Sequence, residues 1–176
     1  MPRAHRSGQA YRVALPALLT TVSLVLLCGA SVAPVGRMGL VALAGLVPAA
    51  AVVSGGLRAG LLCYAAAGIL GLILAPEKGS VLLYLLFFGL YPTVKSLAER
   101  PRSRLGEYAV KLAFFNLALT VLWFGLRDLF LPFLPDMLNG AGTVYLAGNA
   151  IFLLYDYGFS RIIALYTARV DCLFRK

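Results

Sequence analysis

Apolar residues follow one another in six stretches along this chain, and polar or charged residues gather in the short segments between them. The stretches cover residues 13–33, 38–53, 57–75, 80–94, 107–126 and 143–163. A transmembrane helix needs roughly 20 mainly apolar residues, with about 17–25 usual, so the second and fourth stretches are at the short end. The pattern predicts an all-α integral membrane protein, a compact bundle of six transmembrane helices in a single domain over residues 1–176.

Composition narrows the class of protein further. Apolar residues make up 61% of the chain and charged residues 13%, which leaves too little polar surface for a soluble domain. The net charge of +9 does not indicate a nucleic-acid partner, because Lys and Arg gather at alternate ends of the apolar stretches. We therefore expect a multi-pass protein of the bacterial plasma (inner) membrane. Its partners would include membrane lipids and no nucleic acid.

The distribution of basic residues predicts the orientation of the helices. If the chain starts in the cytoplasm and crosses six times, thirteen of its 16 Lys and Arg residues lie inside. Arg37, Lys78 and Arg127 remain outside, where three acidic residues nearly balance them. Because basic residues concentrate on the cytoplasmic side of membrane proteins, both termini are predicted inside (N-in/C-in).

The sequence contains no cluster that indicates a metal, a cofactor or a catalytic centre. Cys28, Cys63 and Cys172 are scattered, and the single histidine, His5, lies in the basic N-terminal segment. A cysteine within an apolar stretch usually behaves as a small hydrophobe. We expect no metal, no cofactor and no enzymatic activity.

The third stretch carries small residues at spacings that place them on one helical face. They are Gly56, Gly60, Cys63, Ala67 and Gly71. Small side chains let helix backbones approach closely, which drives association in lipid. The stripe predicts either packing inside the bundle or a docking face for another membrane protein.

Polar and aromatic residues are concentrated in the last three stretches, again at helical spacing. The fourth carries Tyr84, Phe88, Tyr91 and Lys95, the fifth Asn116, Thr120, Trp123 and Arg127, and the sixth Tyr145, Asn149, Phe152 and Asp156. Three neighbouring helices with one such face each can enclose a cavity, since polar groups avoid lipid. The alternative is that the aromatics are interfacial anchors and the asparagines bond across helices.

The members of these stripes in the outer half of the predicted spans form the candidate ligand site. They are Tyr84, Trp123, Arg127, Tyr145 and Asn149. Aromatic walls suit a flat or partly apolar molecule, Asn149 can orient it by hydrogen bonds, and Arg127 can meet an anionic group.

Asp156 is the residue that costs most to place inside a membrane, because an ionised carboxylate there requires a partner or water. Lys111 enters the fifth stretch at comparable depth, while Lys95 and Arg161 lie nearer the inner surface, and all three side chains can extend towards Asp156. We predict an intramembrane ion pair of Asp156 with Lys111. A proton-relay or gating carboxylate is the alternative role for Asp156.

Six short spans in under 200 residues, with a small-residue first half and a polar-aromatic second half, resemble the S-components of energy-coupling factor transporters. The segment Gly89-Leu90-Tyr91-Pro92-Thr93-Val94-Lys95-Ser96-Leu97-Ala98-Glu99 is similar to the stretch where their fourth helix leaves the membrane. The resemblance implies docking of the first helices on a transmembrane coupling subunit that works with ATPases. It also implies that a vitamin-like small molecule binds near the outer surface among the later helices.

The leading functional prediction is therefore a substrate-binding membrane subunit of a small-molecule uptake transporter, energised by partner subunits. The chain has no nucleotide-binding motif of its own, so ATP-driven uptake requires such partners. The alternative is a membrane scaffold or assembly subunit without a small-molecule substrate, in which the polar stripes hold the helices together.

The charge asymmetry makes the orientation testable by cysteine labelling in a variant lacking the native cysteines. A cysteine in the 128–139 connection should react with an impermeant reagent added outside, because few basic residues lie there. A cysteine in the 100–104 connection should react only after the inner face is opened. Labelling of both positions from the same side would contradict the prediction.

Overall fold

The computed structural model describes residues 4–99, 103–126 and 140–174, with side chains described for 14–99, 103, 105–126 and 140–169. The described chain is helical, without strands, and forms five long helices. They are α1 (Ala4–Val32), α2 (Arg37–Leu74), α3 (Lys78–Ala98), α4 (Arg104–Thr120, continued by a π-helical turn at Val121–Gly125) and α5 (Ala141–Phe174). A second π-helical turn, Tyr84–Phe88, lies inside α3.

The predicted count of six helices is wrong, because the second and third apolar stretches belong to one helix of 38 residues, α2. That helix is interrupted at Gly56, whose φ of 81° and ψ of 177° are not helical. Glycine adopts such angles without a steric penalty. A Cβ atom on Gly60 would lie 3.2 Å from the carbonyl oxygen of Pro48, although twelve residues of straight helix span about 18 Å. The two parts of α2 therefore fold back on each other at Gly56.

The chain divides into two compact units, Met1–Ser96 and Leu97–Lys176. The first unit contains α1, α2 and nearly all of α3. In the apolar stretch of α3, 61% of the residues are buried, compared with 22% for α1 and 33% for α2. α3 is thus the central helix of this unit.

A hydroxyl junction joins the three helices of the first unit. Ser23 Oγ of α1 lies 3.1 Å from the carbonyl oxygen of Ala44 in α2 and 3.3 Å from the hydroxyl of Tyr84 in α3. All three residues are completely buried. One serine hydroxyl can donate to the carbonyl and accept from the tyrosine, so the polar groups of this junction satisfy one another.

The second unit contains α4 and α5. Ser103 caps α4, since its hydroxyl accepts from the backbone N–H of Gly106 at 3.4 Å. α4 contains a buried lysine, Lys111, and the contacts of this side chain define the candidate site described below.

The outward surfaces of the helices are those of a membrane protein. Four helices are long and apolar enough to cross a bilayer: Ala14–Val32, Arg37–Leu74, Lys78–Ala98 and Leu105–Gly125. Large apolar side chains point outward along their length, including Val25 at 64%, Ile73 at 70% and Phe124 at 73% exposure. Contiguous exposed apolar surface of this extent suits lipid and not water.

The approach of α2 to α3 at Gly45 yields a packing prediction. A Cβ atom on Gly45 would lie 2.5 Å from the carbonyl oxygen of Phe88, whereas a Cβ atom on Gly39 would meet nothing within 4 Å. Gly45→Ala should therefore lower the free energy of unfolding in detergent by about 1–3 kcal/mol, as overpacking does. Gly39→Ala, in the same helix, is the matched control and should leave stability unchanged or slightly raised. Equal stability of the two variants would contradict the close approach.

Candidate functional site

Three polar contacts along the shared face of α4 and α5 join these helices in the second unit. We call these residues the polar seam: Lys111 with Asp156, Asn116 with Asn149, and Thr120 with Tyr145. The residue numbers rise along α4 while they fall along α5, so the two helices run antiparallel. The seam is ionic at one end, amide in the middle and hydroxyl at the other end.

The ionic end surrounds one buried lysine with three carboxylates. Lys111 Nζ lies 2.5 Å from Glu107 Oε1, 3.1 Å from Glu99 Oε1 and 3.4 Å from Asp156 Oδ2. The lysine side chain is 2% exposed and that of Asp156 10%, whereas that of Glu99 is 45% exposed. A lysine ammonium has three N–H donors, one for each carboxylate. The charged groups at this end therefore extend from the buried Lys111 and Asp156 to the half-exposed Glu99 at the surface of the unit.

The middle of the seam is a reciprocal amide pair. Asn116 Nδ2 donates to Asn149 Oδ1 at 2.9 Å, and Asn149 Nδ2 donates to Asn116 Oδ1 at 3.0 Å. The second N–H of each amide donates at 2.8 Å to a backbone carbonyl four residues earlier, that of Leu112 or Tyr145. Every amide donor is thus used, and the two side chains fix the register of α4 against α5.

The hydroxyl end is less enclosed. Thr120 Oγ1 and the Tyr145 hydroxyl lie 2.6 Å apart, and this contact is exposed.

Between the amide pair and the ionic end, the rings of Phe115 and Phe152 stack with centroids 4.6 Å apart and an interplanar angle of 11°. Gly148 permits this packing, since a Cβ atom there would lie 3.3 Å from Phe115 and Leu119.

The predicted site residues fall into two different environments. Tyr145 and Asn149 lie in the polar seam, and Trp123 is 5% exposed in the π-helical turn at the end of α4. Tyr84 lies in the first unit, buried against Ser23 and with its ring centroid 5.9 Å from that of Tyr64. Arg127 lies outside the described residues. The structure thus brings Asn149 and Tyr145 together, and it brings Lys111 and Asp156 together, while Tyr84 belongs to the core of the first unit.

The small-residue stripe is covered mostly by the chain itself. Gly60, Cys63, Ala67 and Gly71 are buried, and a Cβ atom on Gly71 would lie 3.1 Å from Val81. These four therefore pack inside the first unit. Gly56, at the turn of α2, is exposed.

Several contacts of the site were not anticipated from the sequence. Glu107 precedes Lys111 by four residues on one helix, a spacing that could have indicated the ion pair. Glu99 approaches the same lysine from beyond the start of α4, and no periodicity reveals that approach. The pairing of Asn116 with Asn149 across 33 residues likewise depends on how the helices pack.

Among the described residues, no group of three or more His, Cys, Asp or Glu side chains is suited to hold a metal ion. Comparison of the chain with protein-family profiles, with curated proteins and with solved structures found no match. The function therefore has to be argued from the polar seam itself.

We predict that two of the carboxylates that share Lys111 contribute unequally to the free energy of unfolding. Asp156→Asn removes a buried hydrogen bond between charged groups and should lower the free energy of unfolding by about 1.5–3 kcal/mol, although Lys111 keeps Glu107 and Glu99. Glu99→Gln removes a half-exposed charge and should cost less than about 1 kcal/mol. Unfolding of both purified variants in detergent measures the difference. A larger loss for Glu99→Gln would contradict this assignment.

Proposed function

We propose that this chain is a substrate-binding subunit of a small-molecule uptake transporter in a bacterial plasma membrane, energised by partner subunits. In this proposal α2 contributes two crossings because it reverses at Gly56, and α5 contributes the last one. The bundle then has six crossings with both termini in the cytoplasm, as the basic residues favour.

The observation that carries the proposal is the polar seam between α4 and α5. Polar groups within membrane-spanning helices are costly and mark function by default. In the outer half of the predicted spans the seam is half-buried at Asn149 and Tyr145 and exposed at Thr120. A small molecule with amide or hydroxyl groups would replace the hydrogen bonds that these side chains now make to one another. The ring of Trp123, which is buried near the end of α4, would form an inner wall for an apolar part of it.

We propose partner subunits because the sequence has no nucleotide-binding motif of its own. ATP-driven uptake would then need a coupling subunit and ATPases. The small-residue stripe packs within the first unit apart from Gly56, so the coupling subunit would dock on the outward apolar faces of α1 and α2. Val22, Val25 and Leu62 are among the exposed residues there.

A specific observation favours a scaffold or assembly subunit as the second candidate. The amide pair uses all four of its N–H donors within α4 and α5, and the threonine and tyrosine hydroxyls bond to each other. Such a seam can hold two helices together without any ligand.

The two candidates are separated by purifying the full-length protein in mild detergent and identifying retained molecules by mass spectrometry. The transporter proposal expects a small organic molecule at near-stoichiometric amount, together with a membrane coupling subunit or an ATPase. Retention of proteins without any small molecule would favour the scaffold.

Variants of the polar seam and of Trp123 test whether the retained molecule binds at the proposed site. Asn149→Ala and Trp123→Ala should each reduce the retained small molecule at least tenfold, because one removes its hydrogen-bonding group and the other an aromatic wall. Thr143→Val, near the start of α5 in an exposed position, is the matched control and should retain it fully. Undiminished retention in Asn149→Ala and Trp123→Ala would contradict the proposed site.

A further inference from the structure

The last helix is too long for the bilayer that it would cross. α5 has 34 residues and is therefore about 51 Å long. The hydrocarbon core is about 30 Å thick, and a tilt of about 40°, the upper end of the usual range, still leaves a projection of about 39 Å. One end of α5 must extend beyond the hydrocarbon into the headgroup region.

Arg161 lies where that extension begins. The predicted span starts at residue 143, so Arg161 is about 27 Å further along the helix axis, close to the full thickness of the hydrocarbon core. The basic residues of the chain place this end on the cytoplasmic side. Arg161 is therefore at the level of the inner headgroups.

One face of the helix around Arg161 is exposed and carries only neutral and basic groups. Tyr157 is 60% exposed, Leu165 is 69% exposed, and Arg161 and Arg169 are also exposed. The four residues follow one another at intervals of four, so they share a face. No Asp or Glu occurs between residues 157 and 170. We call this surface the basic face of α5.

Arg161 is held in place on this face. Its Nε and Nη2 atoms donate to the Tyr157 hydroxyl at 3.3 and 3.1 Å, and its guanidinium carbon lies 5.4 Å from the centre of the Tyr157 ring. The tyrosine is neutral, so the positive charge of the arginine is not balanced by this contact. A planar guanidinium oriented in this way can donate two parallel hydrogen bonds to a phosphate.

We infer that the basic face of α5 binds anionic phospholipid headgroups of the inner leaflet. Charge complementarity carries the assignment, because two arginines on a helix face without an acidic residue meet a leaflet whose surface is negative. The exposed Leu165 and the ring of Tyr157 suit the boundary between headgroups and acyl chains, where aromatic and apolar residues combine with basic ones. The inference rests on the crossing of α5 proposed above, but it is independent of whether the chain captures a small molecule.

Native mass spectrometry of the full-length protein, exchanged into mixed micelles of phosphatidylglycerol and phosphatidylcholine, tests the inference. The wild-type protein should retain phosphatidylglycerol in preference to phosphatidylcholine. Arg161→Gln and Arg169→Gln should each lower that preference about fivefold, from roughly 1 kcal/mol per basic residue near an anionic surface. Arg161→Lys keeps the charge and should retain part of the preference.

Arg37→Gln is the matched control, because it removes one arginine that the charge asymmetry places on the outer side, away from the inner leaflet. It should leave the lipid preference unchanged. An equal loss in Arg37→Gln would show a general effect of net charge and overturn the inference. An undiminished preference in the double variant of Arg161 and Arg169 would overturn it as well, as would abolition of the preference by millimolar inorganic phosphate, which would indicate a site for the free anion.

Discussion

A chain this apolar depends on one constraint: polar groups that enter the bundle must find their partners within the protein. Water is absent from the hydrocarbon region, and an unsatisfied polar group there costs several kcal/mol. The hydroxyl junction at Ser23 and the amide pair of Asn116 and Asn149 are two solutions of the same problem. In each, side chains from different helices use one another's donors and acceptors, so satisfying the polar groups also sets the helix register.

In the first unit, close contact between helix backbones stabilises the packing in addition to the buried hydroxyl junction. Association of helices in lipid gains little from the hydrophobic effect, so it depends on contact between backbones. Gly45 lies against the backbone of Phe88, and Gly60 lies against the other part of α2. Small residues thus let α2 approach α3 and its own other part closely, and many of the larger apolar side chains of α1 and α2 face outward.

The polar seam differs from the junction at Ser23 because it is not sealed. Its charges reach the surface through Glu99 at one end, and its hydroxyls are exposed at the other. A seam needed only for stability would gain most from complete burial, as at Tyr84. Partial exposure of amides and hydroxyls between α4 and α5 is the reason that we propose a binding role for this unit, whereas the buried hydroxyl junction serves packing in the first.

The sequence by itself determined the helical membrane class and most segment boundaries, because hydropathy and helix length act locally along the chain. It also determined that Lys111 and Asp156 need partners, since a charge inside the membrane cannot remain alone. Only the tertiary structure decided that the second and third stretches form one interrupted helix, that most of the small-residue stripe is covered by the chain itself and that Tyr84 lies in a packed core. The physical reason is that a periodic pattern indicates which residues share a face, whereas the neighbour of that face depends on contacts between residues far apart in sequence, such as Asn116 with Asn149.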